Sequence, residues 1–370
     1  SRRDVGVENP QAVNRKAKME VLVHEHLYRA VICFVIGAAT GVNHAQNRVL
    51  QLDGGGDYVQ LPSSAVQDLD EATVESWVKW EEFGYYSQAW GFGSGQTWNV
   101  MCLTTREYSN SLQFFIYERQ RLHRILVPDV LRQNQWCHIA AVSGPAGMHL
   151  YLNGVLIGQH EYQGSFSAIP LGEGAYLGKS QWPSNTDFHG QLDEIRMWDV
   201  ARTAEQINAS MFTHLKRGEA HLVGLWTFDS DDAADASGHG HDGVLRGDAR
   251  CVEADLPTPG ELARPSVVSG EVTDEAGTRL ADASISLAQD TRIVAATKTD
   301  GAGRYKIVLY PDLPVYDLTA TWGDKAEWRQ GLEVVPGQCH EMNLTPRTAV
   351  SLTGTVVAYD GSPHPAVVIQ

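Results

Sequence analysis

Between Arg48 and Glu253 the chain alternates in character. Short runs rich in Val, Ile, Leu and aromatic residues are separated by Gly, Asn, Asp and Ser, and within the runs apolar residues recur at every second position. That period puts one side chain in two on a buried face, which is the mark of a half-covered β-strand. In the run ATVESWVKW, Val74, Ser76, Val78 and Trp80 share one face, and Glu75, Trp77 and Lys79 share the other. In LQFFIYER, Leu112, Phe114 and Ile116 oppose Gln113, Phe115 and Tyr117. Leu150 and Leu152 oppose His149 and Tyr151, after which Asn153-Gly154 supplies a hairpin turn. Ile195 and Met197 likewise oppose Arg196 and Trp198. One segment departs from the pattern. In TAEQINASM, Thr203 stands three residues before Gln206, a capping box that predicts a helix. Many short strands and one helix predict an antiparallel all-β fold.

Pro257, Pro259 and Pro265 interrupt the alternation, so residues 254–266 read as a linker that few contacts should cross. From 267 to 346 the pattern resumes. Gly270 stands among alternating valines, Gly277 marks a turn, and in the run Asp300–Tyr305 an aspartate and two glycines turn the chain before Tyr305 opens the next strand. The segment SLTGTVVAYDGSPHPAVVIQ then aligns without gaps on VVSGEVTDEAGTRLADASIS, setting Gly354 on Gly270 and Gly361 on Gly277, an internal repeat of 84 residues. Residues 349–370 hold about two strands of this second copy, too few for a sandwich. The chain is therefore expected to be a fragment of a longer protein.

Eight motifs occur in a telling order: RVLQLDGGGDYVQLP, ATVESWVKW, QWCHIAAV, HLYLNGVLIG, AYLGKS, HGQLDEIRMWDVARTAEQI, LVGLWTFD and DASGHGHDGVLRG. Through them, residues 46–253 resemble LamG-like jelly-roll domains of the concanavalin A-like lectin/glucanase superfamily. The resemblance implies two stacked antiparallel sheets with the first and last strands adjacent. It also implies ligand recognition or adhesion, often with calcium. Residues 267–346 resemble the carboxypeptidase regulatory-like domain, a small transthyretin-like β-sandwich that brings no catalytic residues of its own. The expected fold is all-β: a two-sheet antiparallel jelly roll, a smaller β-sandwich and the start of another.

Ala30–Val42 is the one long apolar run. It matches a signal-peptide core and falls short of the roughly 20 residues of a membrane helix. With Met19 as the natural start, residues 19–45 read as a signal peptide cleaved after Ala45 or after Gly41; a buried helix or an uncleaved anchor is the alternative. Residues 1–18 read as upstream read-through. Export places the mature N-terminus between Val42 and Arg48 and the protein outside the cytoplasm, secreted or at the cell surface. No transmembrane segment is expected in this fragment. The formal charge of −16 repels phosphate backbones, so nucleic acid is not an expected partner. Cys33 would leave with the signal. Cys102, Cys137, Cys251 and Cys339 form no C-x-x-C, which argues against zinc. They read either as free thiols or as including a Cys102–Cys137 disulfide, the pair that lies within one domain.

Catalysis is not expected. Glycoside hydrolysis needs two carboxylates flanking the scissile bond, and the E-x-D-x-x-E run of related hydrolases is missing. Asp193 and Glu194, as strand neighbours, would point to opposite faces. G-x-S-x-G, H-E-x-x-H and a phosphate loop are also missing. The run His239-Gly240-His241-Asp242 reads as a metal pair or, more simply, as a glycine-rich turn. Calcium is the expected cofactor, since it takes carboxylates and backbone carbonyls on loops. Asp53 and Asp57 in LDGGGDY are the first candidates, joined by Asp193 and Asp242 if the fold brings their motifs to the same edge. As turn caps, the same aspartates would need no ion. A glycan ligand stacks its rings on exposed aromatics. Trp182 is the leading candidate, followed by Trp98 and Tyr108, whereas Trp77, Trp198 and Trp226 are assigned to the core. The expected function is non-catalytic binding or adhesion through a glycan or extracellular matrix ligand. The alternative is a structural or sensory ectodomain of a larger protein, with the sandwiches as spacers.

Overall fold

The computed structural model describes residues 47–170, 174–290 and 292–348. The readings for residues 1–18, 19–45, Cys33 and 349–370 lie outside the described residues. The fold is all-β, with one short α-helix, Ala204–Ser210, among the described residues. The first module stacks two antiparallel sheets. One runs, in spatial order, Val155–His160, Met148–Leu152, Cys137–Ser143, Ala72–Glu82, His189–Trp198, Arg48–Asp53 and Arg250–Glu253, and Leu222–Trp226 also pairs with His189–Trp198. The other runs Val244–Arg246, Tyr58–Gln60, Ala175–Leu177, Gln88–Ser94, Asn99–Thr105, Leu112–Glu118 and Arg121–Val127. The first and last strands of the module are neighbours, with Arg48 opposite Glu253.

The period-two pattern decides what lies between the sheets. Val74, Val78 and Trp80 enter one core with Leu112, Phe114 and Ile116 from the facing sheet. Asn153 and Gly154 both take positive φ, at 52° and 79°, and turn the hairpin between Leu152 and Val155. The helix begins as expected: Thr203 accepts from the Gln206 backbone N–H, and the Gln206 side chain accepts from the Thr203 N–H.

The second module pairs a three-stranded sheet (Arg304–Leu309, Ser266–Glu271, Cys339–Glu341) with a five-stranded one (Arg292–Lys298, Ser284–Gln289, Val315–Trp322, Lys325–Glu333, Arg347–Thr348). Val268, Ile285, Tyr305 and Leu318 meet in its core. The Asp300 carboxylate accepts the N–H groups of Ala302 and Arg304, closing the turn before Tyr305. Gly270 is required by crowding, since a Cβ there would lie 2.0 Å from the Met342 carbonyl oxygen.

One expectation is corrected. The linker does not hang free. Leu262 is buried beside Trp77, Tyr151 and Ile207. Asn153 Nδ2 donates to the Ala263 carbonyl at 2.6 Å, and Arg264 donates to Asn208 Oδ1 at 3.0 Å. Prolines mark an extended segment, not an exposed one, and this segment's leucines cover apolar surface on the outer face of the larger sheet. Of the two readings of the cysteines, free thiols or a Cys102–Cys137 disulfide, the structure has the first. Both are free, Cys102 on the outer face of the seven-stranded sheet and Cys137 in the central core.

Candidate functional site

The residues that alternation turns away from the core build a groove on the seven-stranded sheet. Cys102, Phe115 and Arg124 stand in one cross-strand row, and Val100, Tyr117 and Leu122 in the next. Two connections raise aromatic walls above them. Trp98 closes the turn between Gln88–Ser94 and Asn99–Thr105 at φ 54°, a conformation that costs a bulky residue about 1–3 kcal/mol and persists where surrounding structure enforces it. Trp182 hangs from a loop tied by the Ser180 hydroxyl, which accepts the Trp182 N–H at 3.1 Å and Asn185 Nδ2 at 2.9 Å. The Trp98 ring lies 5.7 Å from Trp182 and 5.0 Å from Tyr117, and Trp182 lies 6.2 Å from Phe115. Together they enclose a cavity of about 280 Å³.

Polar groups meet these rings. Gln88, Thr104 and Gln113 line the cavity with Ser184 and Asn185. Gln113 donates to the Thr105 carbonyl at 3.2 Å. Gln88 is buried, yet its Oε1 has no partner among the described residues. A buried acceptor left unpaired costs roughly 1–3 kcal/mol. A larger cleft, about 810 Å³, is lined by charges of both signs, including Glu161, Glu271, Arg304 and Lys306, and lacks this aromatic surface.

Of the sequence candidates, Trp98 and Trp182 come together here. Tyr108 does not line the cavity. It is 73 % exposed and packs on Tyr85, which does line it. Trp182 also packs more than its polar loop implied, because the loop folds down onto Phe115 and Tyr117. Phe115, Tyr117, Gln113 and Arg124 were missed as site residues, although alternation had already placed the first three opposite the core.

A second cluster joins the LDGGGDY turn to the far end of the module. Carboxylate oxygens of Asp53, Asp57 and Asp248 all lie within 4.8 Å of one another. Asp248 arrives because Val244–Arg246 pairs with Tyr58–Gln60, Arg246 opposite Tyr58. Asp57 is fully buried. One of its oxygens accepts the Asp53 N–H at 2.8 Å, and the other, Oδ1, has no partner among the described residues. Burial and the charges of Asp53 and Asp248 push the Asp57 carboxyl above its usual range.

Asp193 and Asp242 do not join this cluster. Asp53 pairs with His189, and four further residues carry Asp193 about 13 Å along the strand. Its carboxylate instead accepts Asn47 Nδ2 at 2.9 Å and the Glu194 N–H at 2.7 Å. Asp242 accepts the Asp235 N–H at 2.8 Å, and Asp235 in turn accepts the His241 N–H. The His239–Asp242 run is thus a turn tied to Asp235 through His241 and Asp242.

Residues 53–208 match the concanavalin A-like lectin/glucanases superfamily, and residues 267–347 match the carboxypeptidase regulatory-like domain. The two matches follow one another in that order. Pappalysin-1 of Mus musculus is 27 % identical over 183 residues, 45 % of this chain and 11 % of that protein. The chain therefore spans about a tenth of the length of the curated relatives it matches. Among solved structures, a candidate carbohydrate-binding protein from Bacteroides ovatus is 17 % identical with a TM-score of 0.43, covering 57 % of this chain and 61 % of that one. A heptameric SAP-like pentraxin from Limulus polyphemus is 15 % identical with a TM-score of 0.41, covering 56 % and 95 %.

Elsewhere the lectin-like domain spends its charged groups on structure. The face of the larger sheet opposite the core carries a buried ion network. Glu75 bonds Arg202 and lies 3.3 Å from His138 Nε2, while Arg196 pairs with Glu194 at 2.8 Å. Burial alone would raise the Glu75 carboxyl, but His138, Arg202 and Arg196 hold it below its usual range. At Asp193 burial and the neighbouring Glu194 charge outweigh the hydrogen bonds from Asn47 and the Glu194 N–H, and its carboxyl is pushed well above the carboxylate range. Asp193 is fully buried, and Glu194 turns at φ 47° in a bulge to reach Arg196. Among the described residues, no helix is long and apolar enough to cross a membrane.

Proposed function

We propose that the lectin-like domain binds carbohydrate, without catalysis, in the groove walled by Trp98 and Trp182, and that it acts outside the cytoplasm. The observation that carries this reading is the convergence of four aromatic rings with the unpaired Gln88 acceptor. Sugar rings need apolar faces to stack on and polar atoms to read their hydroxyls, and the groove offers both on a rigid sheet. The two neighbouring carboxylates of the domain support a non-catalytic reading, since Asp193 is sealed from substrate and Glu194 is bound to Arg196. A glycan array probed with the intact chain is expected to return oligosaccharide ligands. A blank array would favour the ectodomain reading, in which the sandwiches space other parts of a larger protein.

We further propose that Asp53, Asp57 and Asp248 hold a calcium ion that ties the first turn of the domain to its last. Three carboxylates and the glycine-rich turn supply the oxygen ligands this cation takes, and a cation would neutralise the buried Asp57. Calcium at a hundredfold excess over its Kd is expected to stabilise the domain by about 2.7 kcal/mol, read as a rise in Tm over an EDTA control. The rise should vanish in Asp57→Asn. An equal Tm with and without calcium contradicts the site.

A further inference from the structure

We infer that the groove selects an acidic sugar, one whose ring bears a carboxylate or sulfate, and that Arg124 reads the anion. The inference rests on the carbohydrate reading above and narrows it. Among the described residues, Arg124 is the single charged residue lining the groove. That is contrary to the composition, since the chain has 45 acidic residues against 29 basic ones. The buried arginines Arg196 and Arg202 of the same domain, by contrast, are paired with Glu194 and Glu75. Among the described residues Arg124 makes no salt bridge and no hydrogen bond, and it stands exposed on the edge strand Arg121–Val127, opposite Phe115 in register, at the rim of the aromatic surface.

Its charge faces the groove. Burial raises the Tyr117 hydroxyl, and the Arg124 guanidinium is the neighbour that pulls it back. A free guanidinium beside a stacking surface suits a sugar acid well. The planar fork meets a carboxylate or sulfate through two parallel N–H bonds, while the ring packs on the tryptophans. An uncharged sugar would leave the fork with water alone.

Matched probes test this. Isothermal titration of the intact chain would compare an oligogalacturonate, its fully methyl-esterified form, a sulfated galactan oligosaccharide and the unsulfated galactan. Each acidic probe that binds should do so about ten- to a hundredfold more tightly than its uncharged partner. Arg124→Gln should abolish that ratio while leaving Tm unchanged, and Arg124→Lys should retain part of it. The carboxylate and sulfate arms show which anion the fork prefers. Uncharged probes binding as tightly as acidic ones, or a ratio that survives Arg124→Gln, would overturn the inference and leave the carbohydrate reading intact. Failure of all four probes, together with a blank array, would remove both.

Discussion

Trp77→Ala is expected to cost the lectin-like domain roughly 3–5 kcal/mol, the range for truncating a buried tryptophan. Trp77 is 1 % exposed. It lies on the outer face of the larger sheet, beneath the helix and the linker, among Ala140, Val142, Ile207 and Leu262. Its ring contacts Phe212 at 5.6 Å, and its Nε1 donates to the Met211 carbonyl at 3.1 Å. Truncation therefore leaves a cavity and an unpaired buried carbonyl together, and it loosens the seat of the helix. Urea unfolding measures the loss. A change below about 1 kcal/mol, the size of an average substitution, would show that the helix and linker do not seal this face.

Glu75→Gln is expected to cost about 3–5 kcal/mol, because it strands a positive charge in the interior. Glu75 is fully buried and Arg202 nearly so, with the Arg202 guanidinium stacked 4.0 Å over Trp198. Removing both charges should recover much of the loss, so Glu75→Gln with Arg202→Met is expected to be more stable than Glu75→Gln alone. The pH dependence has a definite sign. The folded-state pKa of Glu75 lies below its unfolded value, so its stabilisation is present at neutral pH and is lost as pH falls through the folded-state pKa. Glu75→Gln should lack that acid-side loss. A double variant no better than the single one would mean that the arginine does not depend on this carboxylate.

Local rules were legible in the sequence, and distant pairings were not. Alternation placed Val74, Val78 and Trp80 inside, and it turned Phe115 and Tyr117 outward. It could not say what waits on the outer face. The same pattern buries Glu75 and Trp77 under a helix and leaves Tyr117 lining an open groove, because that depends on elements far along the chain. Trp98 and Trp182 were singled out as loop aromatics, but their meeting depends on the 180–186 loop folding back over strands 80 residues earlier. Asp248 was invisible for the same reason: it reaches Asp53 and Asp57 only through strand pairing across some 190 residues. The linker misled because its prolines speak to backbone shape, and burial was decided by two leucines.

The central claim is that the Trp98–Trp182 groove binds sugar. Its most direct test is titration of the best array ligand into the wild-type chain, Trp98→Ala and Tyr108→Ala. Trp98 is 41 % exposed and walls the cavity, so its loss should weaken binding by about 2 kcal/mol, roughly 30-fold, as for a central tryptophan of a binding surface. Tyr108, outside the cavity, should bind nearly as the wild type does, and both variants should keep the wild-type Tm. Unchanged affinity in Trp98→Ala, with the ligand still bound, would place the sugar elsewhere and contradict the account.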